Sequence, residues 1–219
     1  VTTHPDSVPS HEPKAIELCQ AVSAIHARGW APGTGGNFSV TLSHQPLRLL
    51  ITPSGIDKGS VKPHALLVVD GAGAVVGGSG KPSAETLLHT TIVEITGAGS
   101  VLHTHTPWST ILSLRHREKG ALVLEGLEML KGLSGVTTHE HTKRIPVLAN
   151  SQDMSALSDE LRRAFAAEPD MHGFLLAGHG LYTWGADLAE ARRHLEVLEF
   201  LFEVTARLEL SPSHAASLY

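Results

Sequence analysis

The sequence predicts a single α/β domain. Segments with apolar residues at helical spacing alternate with short apolar runs of strand length, and 219 residues suffice for one substantial core without forcing a split. With 42% hydrophobic and 18% charged residues, the composition is that of an ordinary globular protein. A net charge of −5 gives no electrostatic reason to bind nucleic acid or anionic membranes. Gly, His or charged residues interrupt every apolar stretch before the roughly 20 residues needed to cross a bilayer. Cys19 is the single cysteine, so no internal disulfide is expected, and with no basic, apolar leader opening the chain the expected location is cytoplasmic.

Taken in order, residues 1–12 are rich in Pro, Ser and His without periodicity and are read as a flexible arm. Residues 13–28 carry Ile16, Leu18, Cys19, Val22 and Ile25 at roughly helical spacing, with Pro13 at the start and Gly29 past the end. Cys19 is a small core residue in this helix, with no clear basic neighbour to activate it. A glycine-rich loop, residues 32–39, leads to two extended segments, 38–42 and 47–52, joined by a turn at 43–46. A second polar loop, residues 52–59, precedes a strand at 66–69 and a turn at 70–73. Each loop alone is what a turn requires, but two flanking one hairpin suit an anion nest.

Residues 81–85 enter a helix running to about 96, with Leu87, Leu88, Ile92, Val93 and Ile95 on its apolar side. Ser83 is read either as its N-cap, beside the acidic Glu85, or as a further hydroxyl of the anion site. After a break at 97–99, residues 100–105 form a strand, and Thr106 with Pro107 caps the next helix. The apolar segment 122–135 contains Glu128 among Leu127, Met129 and Leu130. On a short amphipathic helix that carboxylate points outward; turned inward, desolvation would raise its pKa and suit it to acid-base work. A short strand at 146–149, a helix from 153 to about 168, buried and extended strands at 173–177 and 181–184, a long helix from 187 to 210 and a tail at 211–219 complete the chain.

Fifteen histidines stand beside five Phe, three Trp and two Tyr. Two of them, His103 and His105, lie one residue apart at the end of an apolar strand and therefore on the same face. They are half of a first-row metal site. The best third partner is His179, whose flanking Gly178 and Gly180 leave the imidazole unobstructed. His139 and His141 repeat the spacing, but in a polar loop beside Lys143 and Arg144 that is read as solvated. Three histidines without a thiolate match a catalytic site with an open position; zinc is the expected metal, one per chain, while Fe, Co, Mn and Ni also accept imidazole.

Five motifs in order, the stretch 35–39 ending in Asn37, Phe38 and Ser39, the stretch 52–55 with Ser54 and Gly55, the stretch 81–85, His103 with His105, and His179 between its glycines, resemble the class II aldolase family of sugar-phosphate lyases, epimerases and dehydratases. The resemblance covers about residues 14–208. It implies a three-layer α/β/α fold around a mixed, largely antiparallel sheet, a divalent metal on His103, His105 and His179, and a homotetramer with sites near subunit interfaces. It also implies phosphate-binding roles for Asn37, Ser54, Gly55 and Ser83, and an acid-base role for Glu85. Within the family, segments 126–132 and 30–36 look most like the 5-methylthioribulose-1-phosphate dehydratase branch of methionine salvage, in which Glu128 falls on the catalytic acid-base position. The alternatives are an aldolase cleaving a deoxyketose 1-phosphate, favoured by Glu85, and a noncatalytic metal-binding protein of the same fold.

Overall fold

The computed structural model describes residues 11–211. The expected arm and tail lie outside those residues except at 11, 12 and 211, and Glu12 already belongs to the first helix. In chain order the elements are α1 (Glu12–Ala27), β1 (Asn37–His44), β2 (Leu47–Ile51), β3 (Leu67–Asp70), β4 (Val75–Gly77), α2 (Thr86–Thr96) and β5 (Ser100–Thr104). Then follow α3 (Pro107–His116), β6 (Ala121–Leu124), β7 (Lys143–Leu148), α4 (Met154–Ala167), β8 (Gly173–Leu176), β9 (Gly180–Gly185) and α5 (Leu188–Leu210).

The strands form one sheet in the order β4-β3-β2-β1-β5-β9-β8-β7-β6. All neighbours are antiparallel except β7 and β8. This is the expected mixed, largely antiparallel sheet. Its two faces follow from period-two alternation. Leu50, Val68 and Leu102 pack with α1, α3 and α5 residues such as Leu18, Leu112 and Leu198, whereas Leu49, Ile51, Leu67, Val69 and Val101 pack with Leu88 and Ile92 of α2 and Leu161 of α4. Helices therefore cover both faces, giving three layers.

Local chemistry sets the helix starts. Thr106 caps α3 in a reciprocal capping box with Ser109, and Asp153 and Asp187 accept backbone N–H groups at the starts of α4 and α5. Cys19 is buried in the core and its thiol pKa is raised by that burial, as expected of a packing residue. The structure differs from expectation in three segments. β4 was not anticipated, because Val75 and Val76 are a brief exposed pair at the sheet edge. The start of the apolar segment 122–135 belongs to β6, and only Glu128–Gly132 coils, as a 3-10 turn. β7 begins at Lys143 rather than 146, because the aliphatic stem of Lys143 is buried while its ammonium reaches the carbonyl of Asp170. Among the described residues no helix is long and apolar enough to cross a membrane.

Candidate metal centre

β5 occupies the middle of the sheet, with His103 on it and His105 just past its end. Register with its neighbours aligns Asn37 of β1 with His103, His103 with Tyr182 of β9, and Tyr182 with Phe174 of β8. The row packs as a stack: the His103 and Tyr182 rings lie 3.9 Å apart at 12°, and Tyr182 and Phe174 lie 4.9 Å apart. His103 is fully buried, and its Nδ1 is 2.9 Å from the Leu181 carbonyl, which it meets as a donor. That bond fixes the tautomer and turns the Nε2 lone pair outward. His105 is placed by its backbone N–H, which donates to the Trp30 carbonyl at 2.9 Å. His179 sits in the turn between β8 and β9, where Gly178 takes φ +68°. Gly180 permits the turn to approach β5, since a Cβ there would lie 2.0 Å from the Thr104 carbonyl oxygen.

The three Nε2 atoms converge: His103 to His105 is 2.8 Å, His105 to His179 is 3.0 Å, and His103 to His179 is 3.3 Å. Among the described residues this is the group of His, Cys, Asp or Glu side chains able to hold a metal ion. Imidazole lone pairs facing one another at such separations favour a cation at their centre. Burial lowers the pKa of His103 well below its ordinary value and that of His105 to about 4, so both remain neutral, as ligands must be. Three imidazoles and no thiolate fit a divalent ion with a position left for substrate.

Glu85 stands at the rim of the same centre. Its Oε1 is 3.1 Å from His179 Nε2 and 3.8 Å from His103 Nε2. Its Oε2 accepts from Asn37 Nδ2 at 2.5 Å and from the Ser83 hydroxyl at 3.4 Å. Burial opposes its ionisation, but the His179 hydrogen bond, the two imidazoles and the Asn37 amide outweigh burial and hold the carboxyl below the usual range. Asn37 is only 4% exposed and engaged at both ends, because its Oδ1 meets Nε2 of the buried His89. Its amide therefore orients Glu85 rather than facing solvent. His89 in turn meets Ser39 Oγ at 2.8 Å through Nδ1.

The other loop residues lie at or near the surface. Ser54 and Gly55 are exposed, Gly55 with φ +71°, and Ser54 N–H donates to the Lys81 carbonyl at 2.9 Å, joining the second and third loops. Ser83 is half-buried and does not cap α2: the N-cap residue is Glu85, and Ser83 Oγ accepts from Glu85 N–H at 3.3 Å. Glu128 is not turned inward. Its side chain is 70% exposed, it pairs with Lys131 at 2.6 Å and lies 3.6 Å from His139, and its pKa is lowered by Lys131, opposite to the shift an apolar pocket would give. His139 and His141 are exposed, as expected of a solvated loop.

Four supporting residues were not singled out in the sequence. His89 follows Glu85 by one helical turn on α2, a spacing that could have flagged it. Tyr182, Lys58 and Glu199 gave no such sign. Glu199 of α5 is 3% exposed and accepts from Thr104 at 3.1 Å and Thr106 at 2.8 Å, the two residues flanking His105.

A family model described as Class II Aldolase and Adducin N-terminal domain matches residues 16–206. The chain is 43% identical over 198 residues to a methylthioribulose-1-phosphate dehydratase of Methylococcus capsulatus, covering 90% of this chain and 95% of the relative. It is 48% identical over 187 residues to the enzyme of the same name from Serratia proteamaculans, covering 85% and 90%. Among solved structures, an L-fuculose-1-phosphate aldolase of Thermus thermophilus superposes with TM-score 0.71 at 25% identity, covering 90% of this chain and 96% of that one.

Proposed function

Because this chain belongs to the class II aldolase and adducin family, we propose that it is a zinc-dependent lyase that dehydrates 5-methylthioribulose 1-phosphate to 2,3-diketo-5-methylthiopentyl 1-phosphate, a step of methionine salvage in the cytoplasm. The observation that carries this reading is the convergence of three imidazole nitrogens beside a carboxylate held by the Asn37 amide. A divalent ion on His103, His105 and His179 would supply Lewis-acid polarisation of the C2 carbonyl, which acidifies the C3 hydrogen.

The chain's own residues do the rest. Glu85, with one oxygen toward the histidines and the other held by Asn37, is oriented to take the C3 proton. The C4–O bond breaks as that hydroxyl is protonated and leaves as water, and the resulting enol tautomerises to the 2,3-diketone. Glu128 supplies the second proton transfer. Its exposure in the single chain supports a role at a neighbouring subunit's centre within a homotetramer. Ser54, Gly55 and Ser83 bind the 1-phosphate, remote from the reacting carbons, so that its binding energy orients the substrate. Asn37 contributes by orienting Glu85.

The test is turnover of 5-methylthioribulose 1-phosphate alongside metal analysis. Diketone formation by a protein carrying about one zinc per chain is expected. The retained Glu85 also favours an aldolase cleaving a fuculose- or rhamnulose-type 1-phosphate; release of glycerone phosphate from those substrates, without dehydration of the methylthio sugar, would decide for it.

A further inference from the structure

Lys58 is an anomaly in a loop of small polar residues. It is 1% exposed, yet among the described residues its ammonium meets no carboxylate; it donates to the carbonyls of Thr34 and Ile56, each at 3.0 Å. The adjacent Asp57 carboxylate accepts from Gly59 N–H and the Ser60 hydroxyl instead. A buried ammonium held by carbonyl dipoles is costly unless a nearby negative charge offsets its own. Desolvation accordingly lowers its pKa.

Its position says where that negative charge belongs. The Thr34 carbonyl lies in the first glycine-rich loop and the Ile56 carbonyl in the second, so Lys58 ties the two together. Ser54 N–H joins the second loop to Lys81 of the third. The first loop lies against the metal centre: a Cβ at Gly35 would stand 2.9 Å from His105 Nδ1. The outer surface of the stitched loops presents Ser54 and Gly55 to solvent.

We infer that Lys58 is the positioning residue of a phosphate-monoester site, tying the first two loops together behind Ser54 and Gly55 and supplying the positive charge that the ligand's dianion completes. This rests on the sugar-phosphate reading proposed above. Lys58 acts through the loops and through its field rather than by touching the ligand.

The experiment measures inorganic phosphate binding to the metal-loaded full chain, in the wild type, K58M and K58R, beside binding of the neutral sugar methylthioribulose. Phosphate affinity is expected to fall about tenfold or more in K58M and to stay within about threefold in K58R. Metal content and affinity for the neutral sugar should not change. Should K58M fail to fold, K58Q, which retains a donor for the carbonyls without the charge, carries the same expectation. Unchanged phosphate affinity in the uncharged variant overturns the inference. So does an equal loss for phosphate and neutral sugar, which would make Lys58 merely structural, and so does failure of the wild type to bind phosphate. Dehydration of 5-methylthioribulose 1-phosphate by the wild type, measured in parallel, separates failure of this inference from failure of the functional reading.

Discussion

Glu85 owes its chemistry to its neighbours. An acidic residue in the first turn of a helix is ordinarily a favourable charge beside the helix dipole. Here its carboxylate is held ionised between the Asn37 amide and two imidazoles, so it carries no proton at neutral pH, while the same contacts make it a weaker base than a free carboxylate. Glu85→Gln keeps the size and removes the acceptor. Turnover of the methylthio sugar phosphate should drop by about 10²- to 10⁴-fold while metal content stays at the wild-type level; a variant with normal turnover would remove Glu85 from the mechanism. The contact that holds this residue spans 48 positions to Asn37, and the two imidazoles beside it lie 76 positions apart. His103 and His105 were legible because strand period puts neighbours two apart on one face. Asn37 was named from the resemblance, as a phosphate-binding position, and which partner its amide serves depends on His89, 52 residues away.

At the scale of an element, α5 does more than close the core. Its buried Glu199 grips both threonines beside His105, so the C-terminal helix holds the strand end that carries a metal ligand. Burial pushes the Glu199 carboxyl up from 4.5 to about 7. With the folded pKa above the unfolded one, the contribution is fully present below pH 4.5 and is lost as pH rises through 7, a decline on the order of 3 kcal/mol. Glu199→Gln cannot titrate. Denaturant unfolding of wild type and variant at pH 5 and pH 8 should show the stability difference between them shifting toward the variant at the higher pH; parallel profiles would assign the slope to other groups. The helix itself was readable from Asp187 and the spacing of Leu195, Leu198 and Phe202. Its carboxylate was not, because a Glu in an amphipathic helix reads as solvent-facing until strand and helix are packed. β4 and β6 escaped for the complementary reason: three or four residues are too short a run for periodicity to distinguish strand from turn.

At the scale of the whole molecule, the proposal places Glu128 at a neighbouring subunit's centre. His179 belongs to the centre of its own chain, whereas Glu128 points to solvent beside Lys131. Glu128→Gln should retain metal and His179→Ala should lose it, each with turnover largely abolished. Co-assembly of the two inactive variants at equal ratio should then restore activity at about a quarter of the sites, those pairing an intact triad with a neighbour's intact Glu128. Absence of any recovery would assign Glu128 to its own chain's centre or to none. The sequence alone determined the α/β class, most element positions, the caps of α3, α4 and α5 and the histidine set, because these depend on composition, periodicity and residues a few positions apart. Tertiary structure decided which strands adjoin, hence the row from Asn37 through His103 and Tyr182 to Phe174, and which polar groups are desolvated, hence the states of Glu85, Glu199 and Lys58. Those follow from contacts between distant segments and from the dielectric that packing creates, neither of which is encoded in local pattern.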